Sequence, residues 1–190
     1  MAIKKRPVSP RQKMINLMYV VLMAMLALNV STEVLNGFSI VEESLNRTTT
    51  NSSKENESLY GAFLEQMKTN PEKVKAWFEK ATVVKQMSDS LFNYAQSLKE
   101  QIVREADGKD ADVTNIVGKD NIEAAAQVML APGTGQGGKL YNAINSYRER
   151  ILQMVTDPHQ KKLIADNLST EVPKKDNALG KNWQEYMFES

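Results

Sequence analysis

Gly133-Thr134-Gly135-Gln136-Gly137-Gly138-Lys139 is the segment whose residue types and spacing come nearest to known chemistry. It matches the G-x-x-x-x-G-K skeleton that cradles phosphates. A magnesium-binding Ser or Thr should follow the lysine, and Leu140 stands there instead. The loop should also follow a strand, whereas Ala124–Ala131 reads as helix. An interhelical turn is the better reading, with glycines ending one helix and freeing the next. Asp107, Asp110 and Asp112 could ligate calcium, but no glutamate follows at the spacing an EF-hand needs. His159 is the single histidine and there is no cysteine, which excludes thiolate metal sites, disulfides and cysteine nucleophiles. Asn46, Asn51 and Asn56 begin N-x-Ser/Thr triplets, which are frequent by chance in polar stretches. No nucleophile–base set and no paired carboxylates stand out. The expectation is a protein that is not an enzyme and holds no cofactor and no metal.

Charge provides the next lead. The chain has 190 residues and a formal charge of +1, so nothing in the balance calls for nucleic acid. Its distribution is uneven. Lys4, Lys5, Arg6, Arg11 and Lys13 lie in residues 1–13 with no acid among them, which leaves the remainder net acidic. Ser9-Pro10-Arg11-Gln12 carries a helix-start signature: a capping Ser, Pro at the first helical position, and Gln where a capping box needs one. A charge-free apolar run from Met14 to Val30 follows, 17 residues or roughly 25 Å of helix. Val34 and Leu35 extend the pattern past Glu33, and Lys13 can snorkel at the other end. The run is apolar on every face, which argues against a buried core helix. Ala24 and Ala27 are three apart and do not make the A-x-A spacing of a cleavage site. The expectation is an uncleaved single-pass helix over 14–35, a basic cytoplasmic tail over 1–13, and a domain across the membrane over 36–190.

Within that helix the types and positions of a few residues are unusual. Arg11 and Lys13 fall in the first turn, where cations oppose the helix dipole. Topology alone is served by Lys4, Lys5 and Arg6, so Arg11 is a candidate partner contact. Asn29 falls on the face of Arg11, with Met18 and Leu22 close to that line. Asn16 and Tyr19 are further polar groups, and polar groups in membranes usually face other protein. No carboxylate or histidine occurs from Met14 to Thr32. Any proton-coupled work by this helix therefore needs a titrating group on another chain.

The elements that position these residues read as helices throughout. Val34, Leu35, Phe38, Val41 and Leu45 continue the helical pattern. Thr48–Ser58 is polar and reads as a turn, with Ser52 and Glu55 as a capping pair. Leu59, Phe63 and Met67 then make a short helix. Asn70-Pro71 starts a long one, in which Val74, Trp77, Phe78, Ala81, Val84, Met87, Leu91, Tyr94, Leu98 and Ile102 take core positions. Residues 107–119 read as loop. Helices follow over 120–130, with Asp120 and Glu123 as a cap pair, over 140–155, and from Asp157-Pro158. Residues 170–180 read as loop and 181–190 as the start of a last helix. The expected fold class is all-α, a transmembrane helix continuing into a periplasmic helical bundle.

Ser9-Pro-Arg-Gln-Lys-Met-Ile-Asn-Leu-Met-Tyr19, with Ala24-Met-Leu-Ala-Leu-Asn29, closely resembles the start of the GldM/PorM proteins. These are gliding-motility and type IX secretion components of Bacteroidetes. Leu140–Leu152 and Asn182-Trp-Gln-Glu-Tyr186 are similar to the family's first periplasmic domain. The resemblance implies an inner-membrane motor driven by the proton motive force, in which a homodimer of such helices sits inside a pentamer of GldL-like proteins. It implies that Arg11 faces a glutamate of the GldL-like partner and that Tyr19 lies at the same interface. Lys13, Asn16 and Met18 are candidates for further contacts in the membrane from their types and positions in the helix. It also implies outer-membrane or periplasmic secretion partners, reached through β-rich domains that family members carry beyond the position of Ser190. The competing expectation is a generic membrane-anchored helical binding or sensor module.

Overall fold

The computed structural model describes residues 9–119, 121–175 and 177–189, with the side chains of 26–32 outside it. Lys4, Lys5, Arg6 and the proposed cap Asp120 lie outside the described residues, as does the side chain of Asn29. Every regular element among the described residues is helical, so the fold is all-α. Helix α1 spans Pro10–Thr69 and α2 spans Pro71–Asp107. α3 spans Glu123–Leu130, α4 Gly137–Met154, α5 Pro158–Asn167 and α6 Trp183–Phe188. The chain divides into two units, one ending at Asn56 and the other beginning at Glu57.

The polar stretch expected to be a turn is helical. Residues 48–58 belong to α1, and Ser52 and Glu55 are interior residues rather than a cap. The hydroxyls of Thr48, Thr49 and Thr50 donate to the carbonyls of Ser44, Leu45 and Asn46, each at 2.9 Å. Such back-bonding satisfies the threonines within the helix, so polarity there marks a solvated face rather than a break. Helix α1 stops where proline dictates. Pro71 disfavours helical geometry at the residue before it, and Asn70 sits at φ −145° while its N–H still reaches the Gln66 carbonyl at 2.8 Å. α2 turns back from this point. Tyr60 stacks on Phe78 at 5.5 Å between ring centroids, and its hydroxyl meets that of Thr82 at 3.0 Å.

The core of the second unit lies toward the far end of α2. Leu98 and Val103 of α2, Ala124 and Met129 of α3, and Ile151 of α4 are the buried apolar side chains among the described residues. α2 packs on α3 and α4, and α6 closes over α3 and α4. Asp107 shapes the connection to α3: its carboxylate accepts from the N–H groups of Val117 at 2.8 Å and Gly118 at 2.6 Å. A Cβ on Gly118 would lie 2.7 Å from the same carboxylate and 3.1 Å from the Ala106 carbonyl oxygen, so a larger residue there would push the Asp107 side chain aside. Asn145 ties α4 to the segment after α5. Its side-chain oxygen accepts from Arg148 at 2.5 Å and from the buried Thr170 at 3.0 Å, while Arg148 also donates to the Leu168 carbonyl at 3.1 Å.

The short helices start where the sequence places caps. Asp157 accepts from the His159 N–H at 3.0 Å. Asn182 and Glu185 form a reciprocal capping box, both bonds at 2.9 Å. Helix α6 has only six residues, too few to form without its cap and its packing. Asn182→Ala should cost about 1 kcal/mol. Urea unfolding followed by circular dichroism checks this value. A cost below the measurement error would mean that Trp183 packing alone holds α6.

Among the described residues, no helix is long and apolar enough to cross a membrane. That statement does not extend to the side chains of 26–32, which fall inside the expected span.

Candidate functional site

The start of α1 carries the residues singled out in the sequence. Ser9 accepts from the Gln12 N–H at 3.3 Å and its carbonyl takes the first helical bond from Lys13. This is half of the capping box. The Gln12 side chain turns forward and donates to Asn16 at 3.2 Å rather than back to Ser9. One polar group of Asn16 is therefore partnered within its own helix.

Helical geometry sorts the five site residues. At about 100° per residue, Met18 and Leu22 lie within roughly 20° of Arg11, and Tyr19 about 80° round from it. Lys13 and Asn16 lie on the opposite side, roughly 160° and 140° away. Helix α1 thus groups Arg11 with Met18 and sets Tyr19 beside them, while Lys13 and Asn16 form a separate face. All five are exposed, Tyr19 at 64% and Met18 at 71%. So are their apolar neighbours Met14, Leu17, Val20, Leu22 and Met23. Further along α1, Val34, Phe38, Val41 and Leu45 recur at i, i+4, i+7 and i+11 and are exposed as well.

The phosphate-loop skeleton is a packed turn between helices α3 and α4. Gly133 has φ +78°. A Cβ on Gly135 would meet the Met129 carbonyl at 2.7 Å, and one on Gly137 would meet the same oxygen and the Gln184 side chain at 2.9 Å. These glycines serve close approach of backbone to backbone, and α3 precedes the turn where a phosphate loop needs a strand. The two body segments that carry the family resemblance meet at this turn, with the rings of Tyr141 and Trp183 centred 5.7 Å apart.

Two of the three aspartates are committed to their own loop. Asp107 is engaged as described, and Asp112 accepts from the N–H and hydroxyl of Thr114 at 2.8 and 2.7 Å. These bonds hold the Asp112 carboxyl below its usual pKa. Among the described residues no group of His, Asp or Glu is arranged to hold a metal ion.

Met87, Leu91 and Tyr94, which the helical periodicity places in the core, line an open cleft of about 910 Å³ between α2 and α4. Trp77 was expected there too and is 61% exposed, with the Lys80 ammonium 5.2 Å from its ring centroid. The periodicity was right about the helix. It could not say how far along α2 the neighbouring helices extend, and α3 covers only the far end. The Tyr94 hydroxyl is buried and has no hydrogen-bond partner among the described residues. Burial pushes its pKa up, because the phenolate would lose hydration. An unpartnered buried hydroxyl is the one signal that separates this tyrosine from an ordinary core residue, and periodicity does not carry it.

An all-α domain, led by a long helix whose apolar side chains remain exposed and lacking any metal-holding cluster among its described residues, is the class these features define. Residues 33–190 match the family model described as the GldM N-terminal domain, and the chain belongs to that family. Membership makes it a gliding-motility and type IX secretion component, in a family of inner-membrane-anchored proteins. No curated protein matches the chain. The match begins at Glu33, so it does not reach Arg11, Lys13, Asn16, Met18 or Tyr19.

Proposed function

We propose that this chain is a non-enzymatic subunit of an inner-membrane rotary motor driven by the proton motive force, serving type IX secretion and gliding. In this reading α1 crosses the membrane over residues 14–35, with residues 1–13 in the cytoplasm and the helical domain in the periplasm. Arg11, with Met18 beside it and Tyr19 on the adjoining flank, contacts a GldL-like multi-span partner. The observation that carries the reading is the face of α1. A cation stands in the first turn, against the dipole, at the head of an exposed apolar helix that has no carboxylate or histidine from Met14 to Thr32. Such a helix can complete a proton-linked site but cannot supply its titrating group.

The exposed series Phe38, Val41 and Leu45, just past the proposed span, supports a homodimer, since a second copy of α1 beside the first would remove those side chains from water. The rival reading, an anchored binding or sensor module, draws on the α2–α4 cleft. Membership in the GldM family weighs against it.

The absence of cysteine makes topology directly measurable. Lys5→Cys should resist a membrane-impermeant maleimide in spheroplasts, and Lys54→Cys should react. The protein should co-purify with a multi-span partner and retain its N-terminus by mass spectrometry. Reversed labelling, or a mature protein that begins after the apolar run, would sink the anchor.

A further inference from the structure

We propose that the cleft between α2 and α4 docks an acidic amphipathic helix of another protein. The proposal is independent of how α1 is anchored.

The cleft is held open by its own walls. The Ser88 and Tyr147 hydroxyls meet at 2.6 Å and keep α2 and α4 side by side. Its lining runs from Val83 to Tyr94 on α2 and from Ala143 to Met154 on α4, about three turns of each. Two helices lying side by side leave a furrow that accepts the side-chain ridge of a third. An extended lipid chain would stay half in water in so open a furrow. A helix arrives with its backbone hydrogen bonds already made and needs only an apolar stripe. Met87 and Met154 supply adaptable surface for such a stripe.

The polar groups specify the occupant further. The lining contains one ionised side chain, Arg150, and no carboxylate. Arg150 is exposed and makes no ion pair or hydrogen bond among the described residues. A complementary helix therefore carries an acid for Arg150, on the edge of its apolar stripe. With Tyr147 opposite Ser88, and α4 running back along α2 from the turn after α3, Arg150 stands near position 85 of α2, toward one end of the furrow. A symmetric contact with a second copy would set this cationic lining against itself, which disfavours that occupant.

The test uses the full-length protein in cells that carry the secretion machinery. Ser90 or Gln153 is replaced by a photoreactive phenylalanine derivative, with the exposed Lys162 as the control position, and crosslinked peptides are sequenced. The expected product is a segment of one other protein with apolar residues at i, i+3 or i+4, and i+7 and at least one Asp or Glu. Arg150→Glu should lower the yield at least tenfold, and changing the partner's acid to lysine should restore it. Crosslinks to the same chain or to lipid would overturn the proposal. So would a basic or non-helical segment, yields no higher than at Lys162, or insensitivity to Arg150→Glu.

Discussion

Arg11→Ala should abolish proton-driven secretion and gliding while the protein still enters the membrane in normal amount. A cation in the first turn of a helix is disfavoured by about 0.3–1 kcal/mol, and three other basic residues, Lys4, Lys5 and Arg6, already serve orientation. In the proposed function a partner charge offsets that cost, and the family resemblance implies a glutamate on the GldL-like chain. Removing one member of a pair shielded from water leaves the other uncompensated, a loss of about 3–5 kcal/mol. At about 1.4 kcal/mol per factor of ten, the pairing weakens by two to three orders of magnitude. Arg11→Lys should fall between wild type and alanine, since lysine keeps the charge but not the planar fork. Co-purification of the partner and secretion of a reporter cargo are the two measurements. Unchanged assembly together with unchanged activity would end the special role of Arg11.

Leu98→Ala should cost about 2–5 kcal/mol, the range for emptying a buried leucine site. Leu98 is 3% exposed and is one of five buried apolar residues among those described. In a domain whose total stability is expected near 5–15 kcal/mol, that loss brings unfolding within reach of modest denaturant. Trp77→Ala removes a larger side chain, yet one that is 61% exposed, and should cost under about 1 kcal/mol. Urea midpoints of the two variants compared with wild type decide the matter. An equal loss at Trp77 would mean that α2 is covered along its whole length under the conditions of measurement.

Where an element begins depends on local chemistry, and those positions were readable. Ser9-Pro10, Asn70-Pro71 and Asp157-Pro158 each place a proline at a first helical position, and α1, α2 and α5 start there. The start of α6 was readable only to within a few residues. Its cap, Asn182 with Glu185, is as local as the others, but Asn182 is not followed by a proline that would mark the first helical position. The glycine segment was legible as a turn because its helix-breaking residues act on their own backbone. The reason for Gly135 and Gly137 was not legible, since it lies in the carbonyl of Met129 and the side chain of Gln184.

Polarity misled at residues 48–58. Threonine and asparagine runs are common in loops, but these hydroxyls bond to carbonyls four residues back and the helix passes through. The site at the head of α1 divides in the same way. Its cations, its apolar run and its lack of an acid are properties of composition and order, and the sequence alone determined them. It also determined the helical period that sets Met18 beneath Arg11. Tertiary structure decided which apolar residues of that period are covered. Leu98 is buried because α3 and α4 reach it, whereas Met87, Leu91 and Tyr94, on the same helix, face an open cleft. Burial is a relation between segments distant in the chain, and a periodic pattern states only which side of a helix is apolar.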